Sequence, residues 1–379
     1  MRGRVVMVDQ KFINIEGQDY SPLDKYLESK DLKSIFLVCD SSIGFLEINS
    51  YFNELENRTA IRVVRFSDFK PNPNYESIVK GVERFINEKC DSIIAVGGGS
   101  AIDVAKCIKL YSNMDHTLNY LNQEIVPNDI PFVAMPTTAG TGSESTRYAV
   151  IYYLGEKQSI THESCIPEDI IIDPSVLKTL PIYQKKSTMM DAFCHAIESY
   201  WSVNSTPVSK GYAKKAIHGI IENLEGYLAN KEENNYKMMI AANYAGRAIN
   251  ITQTTAGHAM CYKITSIYGY AHGHAAALCN RVLIPWIHDN LDKCIDPRGK
   301  SYLSETLDEL SRICGFEDFN NFSGYFRDLF DDLKLDIPAG NEEDIKLLSK
   351  SVNPVRLKNF PVLLDEDEIE KLYRRIIQV

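Results

Sequence analysis

The spacing of apolar residues changes character once along this chain, near Leu180, and that change restricts the fold more than any other feature. Before it, short apolar runs alternate with segments of helical spacing. SIFLVCD at 34–40 is followed by a helix-like stretch from Phe45 to Glu56, then AIRVVRFSD, the amphipathic PNPNYESIVKGVERFINEKC and DSIIAVGGG. Strand-length runs that are apolar throughout belong to a parallel sheet covered on both faces. Their alternation with helices builds a doubly wound α/β domain. KFINIEG reads as a short strand-pair region ahead of it and PFVAMP as a further buried strand. YAVIYY with KQSITH reads as a hairpin, and DIIIDPSVLKTLP as a last strand and a turn. Beyond Leu180 the pattern is helical almost throughout, as in DAFCHAIESYW, SKGYAKKAIHGIIENLEGYL and EDEIEKLYRRII. The expected organisation is α/β plus all-α: an α/β domain over 1–179 and an all-helical domain over 180–379. No low-complexity linker or internal repeat separates them.

A length of 379 residues is ample for two domains with a large core, and 44% hydrophobic with 24% charged residues is a globular composition. The net charge of −10 argues against nucleic acid as a partner, which favours a basic face. No run is apolar for long enough to span a bilayer, and MRGRVVMVDQ lacks the apolar core of a signal peptide, so no membrane partner and a cytoplasmic location are expected. The nine cysteines include no CxxC pair, which suggests reduced thiols rather than a disulfide framework or a cysteine zinc site.

The residues able to carry chemistry are concentrated in two places. GHAMCYKITSIYGYAHGH, from Gly257 to His274, holds three of the eight histidines. His195 lies upstream with Asp191 four positions before it, a spacing that puts both on one helix face. One carboxylate and three imidazoles suit a divalent transition metal such as Fe(II) or Zn(II). Asp191, His195, His258 and His272 therefore read either as a mononuclear metal site or as core histidines with a helix-surface charge. The second place is VGGGSAIDVAK at 96–106, where a strand runs into Gly97, Gly98 and Gly99 and opens a helix. Backbone N–H groups there can approach a phosphate, although the pattern is not GxGxxG and a plain glycine turn has the same look. Asp103 in the first helical turn can serve simply as a favourable dipole partner. Asp40, ending an early strand, is placed to accept from a ribose 2′-hydroxyl, which favours NAD over NADP, or merely to end the strand. Thr137, Thr138, Gly140, Thr141, Gly142 and Ser143 form a loop able to wrap a cofactor or to lie at the surface. A cleft between the two domains would bring cofactor and metal together.

GGGSAIDVAK, PTTAGTGSE, DAFCHAIESY and the paired histidines of GHAMCYKITSIYGYAHGH closely resemble the motifs of the iron-containing (group III) alcohol dehydrogenases, from Asp40 to beyond Asn280. The resemblance implies a dehydroquinate-synthase-like fold, with an NAD-binding α/β domain followed by a helical metal domain. Carried over residue by residue, it implies a divalent metal, Fe(II) or Zn(II), on Asp191, His195, His258 and His272. It puts the NAD(H) pyrophosphate on Gly97, Gly98, Gly99 and Ser100, with Thr137, Thr138 and Thr141 along the cofactor path. Asp40 stands where the ribose-binding acid stands, and Asp103 reaches toward the nicotinamide end. Many members carry a histidine four places after the first of the paired ligands; here that place is Tyr262, and His274 follows the last ligand by two. Tyr262 and His274 are thus the candidates for returning a proton.

GRAINITQTTAGHAMCYKITSIYGYAHGHAAAL with SYWSVNST looks most like the subgroup that reduces phosphonoacetaldehyde, with sulfoacetaldehyde reductases as chemical neighbours. Arg147 and Lys263, in motifs expected to border the cleft, are candidates to meet such a substrate's anionic head or are solvated surface charges. A general short-chain enzyme such as a 1-propanol or butanol dehydrogenase is the alternative. A dehydroquinate-synthase-type cyclase would carry a glutamate among its ligands, and a non-catalytic module would have lost the ligands or broken the glycine loops. A homodimer or larger homo-oligomer is implied by the resemblance.

Overall fold

A computed structural model of the protein describes residues 10–378. The described residues divide into two compact units: those up to Leu180 with Asn230–Met239, and Pro181–Ala229 with those from Ile240 onward.

In the first unit the described strands are β1 (Lys11–Asn14), β2 (Ser34–Cys39), β3 (Arg62–Phe66), β4 (Ser92–Gly97), β5 (Phe132–Pro136), β6 (Tyr148–Tyr153), β7 (Glu156–Thr161) and β8 (Asp169–Ile172). Helices α1 (Ser21–Ser29), α2 (Ile48–Arg58), α3 (Tyr75–Asn87) and α4 (Gly99–Tyr111) lie between them in sequence. Six strands form one parallel sheet in the order β1-β8-β5-β4-β2-β3. β2 and β4 are buried at every position, as apolar strands covered on both faces must be. Phe36, Val38, Ile93, Ala95, Phe132 and Ala134 of the sheet join Ile78, Val82 and Phe85 of α3 and Ile102, Ala105 and Ile108 of α4 in one core. Burying each large apolar side chain stabilises by about 1.5–3 kcal/mol, so this layer fixes the ends of β4 and β5 where the glycine turn begins.

The hairpin expected from YAVIYY and KQSITH is β6 and β7, antiparallel from Tyr148↔Thr161 to Tyr153↔Glu156. KFINIEG behaves differently from a strand pair. β1 joins the distant β8 in parallel, and the local pairing is reduced to an isolated Glu16↔Asp19 bridge. Its partner strand lies far along the chain, so local spacing carries no trace of it.

The second unit is helical. Its elements are α5 (Ile182–Trp201), α6 (Pro207–Leu228), α7 (Glu232–Thr252, whose start belongs to the first unit), α8 (Ala256–Tyr268), α9 (His272–Asp289), α10 (Lys300–Ile313), α11 (Phe319–Asp332), α12 (Glu342–Ser351), α13 (Pro354–Leu357) and α14 (Glu366–Ile376). α6 begins with a capping box between Thr206 and Ser209 and Pro207 at its first position. α8 stops at Gly269, whose φ of 70° is the left-handed conformation that ends helices. α5 packs against α6 and α9, and α8 against α9. From Met189 to Trp201 α5 is buried at every position, the signature of a central helix. No helix among the described residues is long and apolar enough to cross a membrane.

Candidate metal centre and cofactor turn

Asp191, His195 and Glu198 follow one another along one face of α5 at i, i+4 and i+7. Because that helix is enclosed, each of these polar groups needs a partner inside the protein. His258, in the first turn of α8, meets all three. Its ring stacks on His195 with centroids 4.4 Å apart and an interplanar angle of 17°. Its Nε2 lies 3.4 Å from Asp191 Oδ1, and His195 Nε2 lies 3.9 Å from that same oxygen. The donor atoms of Asp191, His195 and His258 fall within 4.8 Å of one another. His272 opens α9 beside them, its ring centroid 5.4 Å from that of His258, but its donor atoms are outside that convergent group. Cys261 Sγ lies 3.7 Å from His272 Nδ1.

Two glycines make this crowding possible. A Cβ on Gly273 would fall 2.0 Å from the Ser187 carbonyl oxygen and 2.6 Å from Asp191 Cβ. The start of α9 can therefore lie on α5, which brings the adjacent His272 to the ligand face. A Cβ on Gly257 would fall 2.5 Å from Glu198 Oε1 and 2.3 Å from Asn280 Nδ2.

Glu198 organises the group from behind. Its Oε1 accepts from His258 Nδ1 at 2.6 Å and Asn280 Nδ2 at 2.9 Å. Its Oε2 accepts from the Thr255 N–H at 2.6 Å and the Thr255 hydroxyl at 2.8 Å. α8 has no side-chain cap of its own, so this carboxylate from α5 takes that place at the positive end of the helix dipole. An ionised carboxylate only accepts, so His258 holds a proton on Nδ1 toward Glu198, and Nε2, which faces Asp191, is the nitrogen at which an ion would replace a proton.

The electrostatics agree. Burial pushes Asp191 upward, but His195, the hydrogen bond from His258, and His272 together hold its carboxyl well below the usual range. For Glu198 burial is likewise outweighed, by His258, Asn280 and Thr255, and the carboxyl is held down at about 2. Burial draws His258 down, yet Glu198 and Asp191 overcome it and raise the ring to about 9. Two enclosed carboxylates thus draw positive charge to the space between Asp191 and the Nε2 atoms. Oxygen and imidazole donors fit a divalent transition metal at that point, and the carboxylate–histidine–metal arrangement is the usual support for one.

The remaining candidates fall on different sides of this centre. Tyr262, one turn after His258, stacks on His272 with centroids 5.5 Å apart, and its hydroxyl accepts from Arg356 at 2.6 Å. His274 is not brought to the cluster. It is fully buried, with Nε2 2.8 Å from the Asp336 carbonyl oxygen and Nδ1 3.0 Å from the Tyr183 hydroxyl. Two positions after His272 is more than half a helical turn, which directs His274 into packing against Tyr270 and Phe330. Lys263 stands on the exposed face of α8. Arg147, in the first unit, is paired with Glu163 at 3.5 Å and reaches the Tyr148 hydroxyl.

In the first unit the cofactor candidates gather where β2, β4 and β5 end. Asp40 caps the turn after β2, accepting from the Ser42 N–H at 2.8 Å, and a Cβ built on Gly97 would lie 3.4 Å from its Oδ2. Gly98 faces the Thr138 side chain and Gly99 that of Thr141. The Thr137 N–H donates to the Gly97 carbonyl at 3.0 Å, and Ser100 sits in the first turn of α4, whose start no side chain caps. A helix start left in this state suits a phosphate. Asp103 is engaged elsewhere, accepting from the Ser143 hydroxyl at 2.6 Å and the Val150 N–H at 2.9 Å, and burial raises its pKa. Beside it the enclosed Lys106 donates to the carbonyls of Ser143, Thr146 and Tyr148 and so pins the loop after β5.

Sequence reasoning passed over Glu198, Thr255, Asn280 and Arg356. The i+7 spacing of Glu198 from Asp191 was the available signal; Arg356 offered none.

The family model described as iron-containing alcohol dehydrogenase matches residues 12–174, and that of the Fe-containing alcohol dehydrogenase C-terminal region matches 185–377. Alcohol dehydrogenase 4 of Saccharomyces cerevisiae is 30% identical over 287 residues, 74% of this chain and 73% of its own length. The structure of sulfoacetaldehyde reductase from Bifidobacterium kashiwanohense in complex with NAD+ is similar with a TM-score of 0.85 at 26% identity, covering 97% of this chain and 96% of that one. An iron-containing alcohol dehydrogenase from Thermotoga maritima is similar with a TM-score of 0.82 at 26% identity over 99% of both chains.

Proposed function

The chain belongs to the iron-containing alcohol dehydrogenase family, and from that premise we propose that it uses NADH to reduce a two-carbon aldehyde with an anionic head group. It is an oxidoreductase of that family. Sulfoacetaldehyde and phosphonoacetaldehyde are substrates of this form, giving isethionate and 2-hydroxyethylphosphonate. Likeness to a sulfoacetaldehyde reductase supports the first, and the GRAINITQTTAGHAM and SYWSVNST stretches support the second.

The observation that carries the reading is the buried convergence of Asp191, His195 and His258 with Glu198 behind it. An Fe(II) or Zn(II) ion held there with His272 would supply a Lewis acid for the aldehyde oxygen, and NADH on the glycine turn would supply the hydride. The protein's own part is to keep that centre ready. Asp191 contributes the negative charge, Glu198 keeps the His258 proton away from the ligating nitrogen, and Gly273 admits His272. Asp40 and the Gly97–Gly99 turn hold the dinucleotide. The proton for the product oxygen comes from Tyr262 or from solvent, since both His274 nitrogens are already engaged. We assign the protein to the cytoplasm as a homodimer or larger homo-oligomer on the same family grounds.

The test is NADH oxidation by metal-reconstituted protein with sulfoacetaldehyde, phosphonoacetaldehyde, propionaldehyde and butyraldehyde. A higher kcat/KM for an anionic aldehyde, abolished by chelation, is expected. Preference for the neutral aldehydes would make it a short-chain alcohol dehydrogenase instead.

A further inference from the structure

We infer that Arg356 is the side chain that binds the anionic head group of the substrate. This rests on the functional reading above and names the specificity-determining residue within it. Arg356 projects from the short α13 to Tyr262, donating from one guanidinium nitrogen to the hydroxyl at 2.6 Å with its central carbon 4.8 Å from the ring centroid. The same ring stacks on His272. The guanidinium therefore stands two contacts from a candidate metal ligand. In a two-carbon aldehyde, a few bonds of about 1.5 Å separate the carbonyl oxygen from the head-group oxygens, roughly 5 Å in all.

The charge on Arg356 is otherwise unanswered. Half-buried Arg62, Arg147, Arg281 and Arg298 each meet a carboxylate, from Glu88, Glu163, Asp331 and Asp296, and half-buried Arg65 meets the Asn49 carbonyl and the Asn53 side chain. Among the described residues no carboxylate pairs with Arg356, although it too is half-buried. A guanidinium has five N–H donors in a planar fork suited to sulfonate or phosphonate oxygens, and the bond to Tyr262 uses only one nitrogen. Partial desolvation without a counter-charge is unfavourable, and an arriving anion relieves it. Neither cation taken from the sequence offers this: Lys263 is exposed on α8 and Arg147 is matched by Glu163.

The experiment compares metal-reconstituted wild type, Arg356→Met and Arg356→Lys with sulfoacetaldehyde, phosphonoacetaldehyde and propionaldehyde. The readout is the ratio of kcat/KM for each anion to that for propionaldehyde. In Arg356→Met this ratio falls about 10- to 100-fold, mainly through KM, and Arg356→Lys recovers part of it. The anion with the larger loss identifies the head group. Inhibition of propionaldehyde reduction by ethanesulfonate and ethylphosphonate, compared between wild type and Arg356→Lys, gives a second measure if the methionine variant does not fold; weaker inhibition of Arg356→Lys is expected. A wild type that prefers propionaldehyde to both anions overturns the functional reading and this inference with it. A wild type that prefers an anion, with ratio and inhibition within twofold in the variants, overturns the role of Arg356 alone.

Discussion

Replacing Glu198 by glutamine preserves shape and removes one acceptor oxygen with its charge, and the surroundings leave the amide no acceptable orientation. In the native protein, five donors converge on the two carboxylate oxygens: His258 Nδ1, Asn280 Nδ2, the Thr255 N–H, the Thr255 hydroxyl and, at 3.5 Å, the His258 N–H. If the new NH2 faces His258, the imidazole must accept at Nδ1 and move its proton to Nε2, the nitrogen that faces Asp191. If it faces Thr255, the Thr255 N–H at the start of α8 loses the oxygen that accepts from it. One buried unsatisfied donor costs about 1–3 kcal/mol, which in a domain of this size lowers Tm by about 2–4 °C for each kcal/mol. Loss of the carboxylate that orients a metal-binding histidine weakens affinity about 10- to 100-fold. Anaerobic calorimetric titration of the metal-free protein with Fe(II) or Zn(II), beside its thermal unfolding, measures both. The pH dependence has a definite sign. The Glu198 carboxyl is depressed from 4.5 to about 2, so its contribution is complete above about 4.5 and disappears as pH falls through 2. The advantage of wild type over Glu198→Gln should narrow across that window. Metal affinity within twofold of wild type together with an unchanged Tm would refute the orienting role.

Asp191→Ala and His195→Ala should each lose nearly all turnover while NADH affinity, followed by fluorescence titration, stays within threefold; normal aldehyde reduction by either metal-verified variant would remove the site assignment. Gly273→Ala forces a methyl to within 2.6 Å of Asp191 Cβ and against the Ser187 carbonyl, so α9 must shift, with stability reduced by about 1–3 kcal/mol and metal affinity reduced with it. Both are read from thermal melts run with and without metal. Lys106→Met leaves the Ser143, Thr146 and Tyr148 carbonyls without their shared donor. Faster proteolysis within residues 137–148 and weaker NADH binding should follow, and unchanged values of both would show that the loop holds without that pin.

The division into an α/β half and a helical half was legible because each rests on local spacing. β2 and β4 are continuous apolar runs, and α5 is a helix whose every face from Met189 onward is apolar or chemically engaged. The pairing of β1 with β8 was not legible, since parallel partners share no local signal and these lie some 158 positions apart, as in Lys11 and Asp169. The same distinction runs through the site. Asp191 and His195 show themselves by an i, i+4 spacing, while His274 follows the candidate ligand His272 so closely in sequence that only its helical phase reveals it as a packing residue.

Glu198 illustrates why partial legibility misleads. On the sequence it is one more acid on a helix, and its charge would be read as solvent-facing. Its i+7 spacing from Asp191 instead puts it on the enclosed face, where an ionised carboxyl is tolerated only if donors surround it. Those donors come from Thr255, His258 and Asn280, all contributed by or flanking α8 and α9. The carboxylate thus ties α8 and α9 to α5 through the very bonds that select the His258 tautomer. Assembly of the helical unit and preparation of the candidate metal-binding nitrogen are consequently one event, and a substitution that loosens the first must degrade the second. Calorimetry and melting on Glu198→Gln can separate this from the alternative in which Glu198 is only structural: a lower Tm with unaltered metal affinity would break the link.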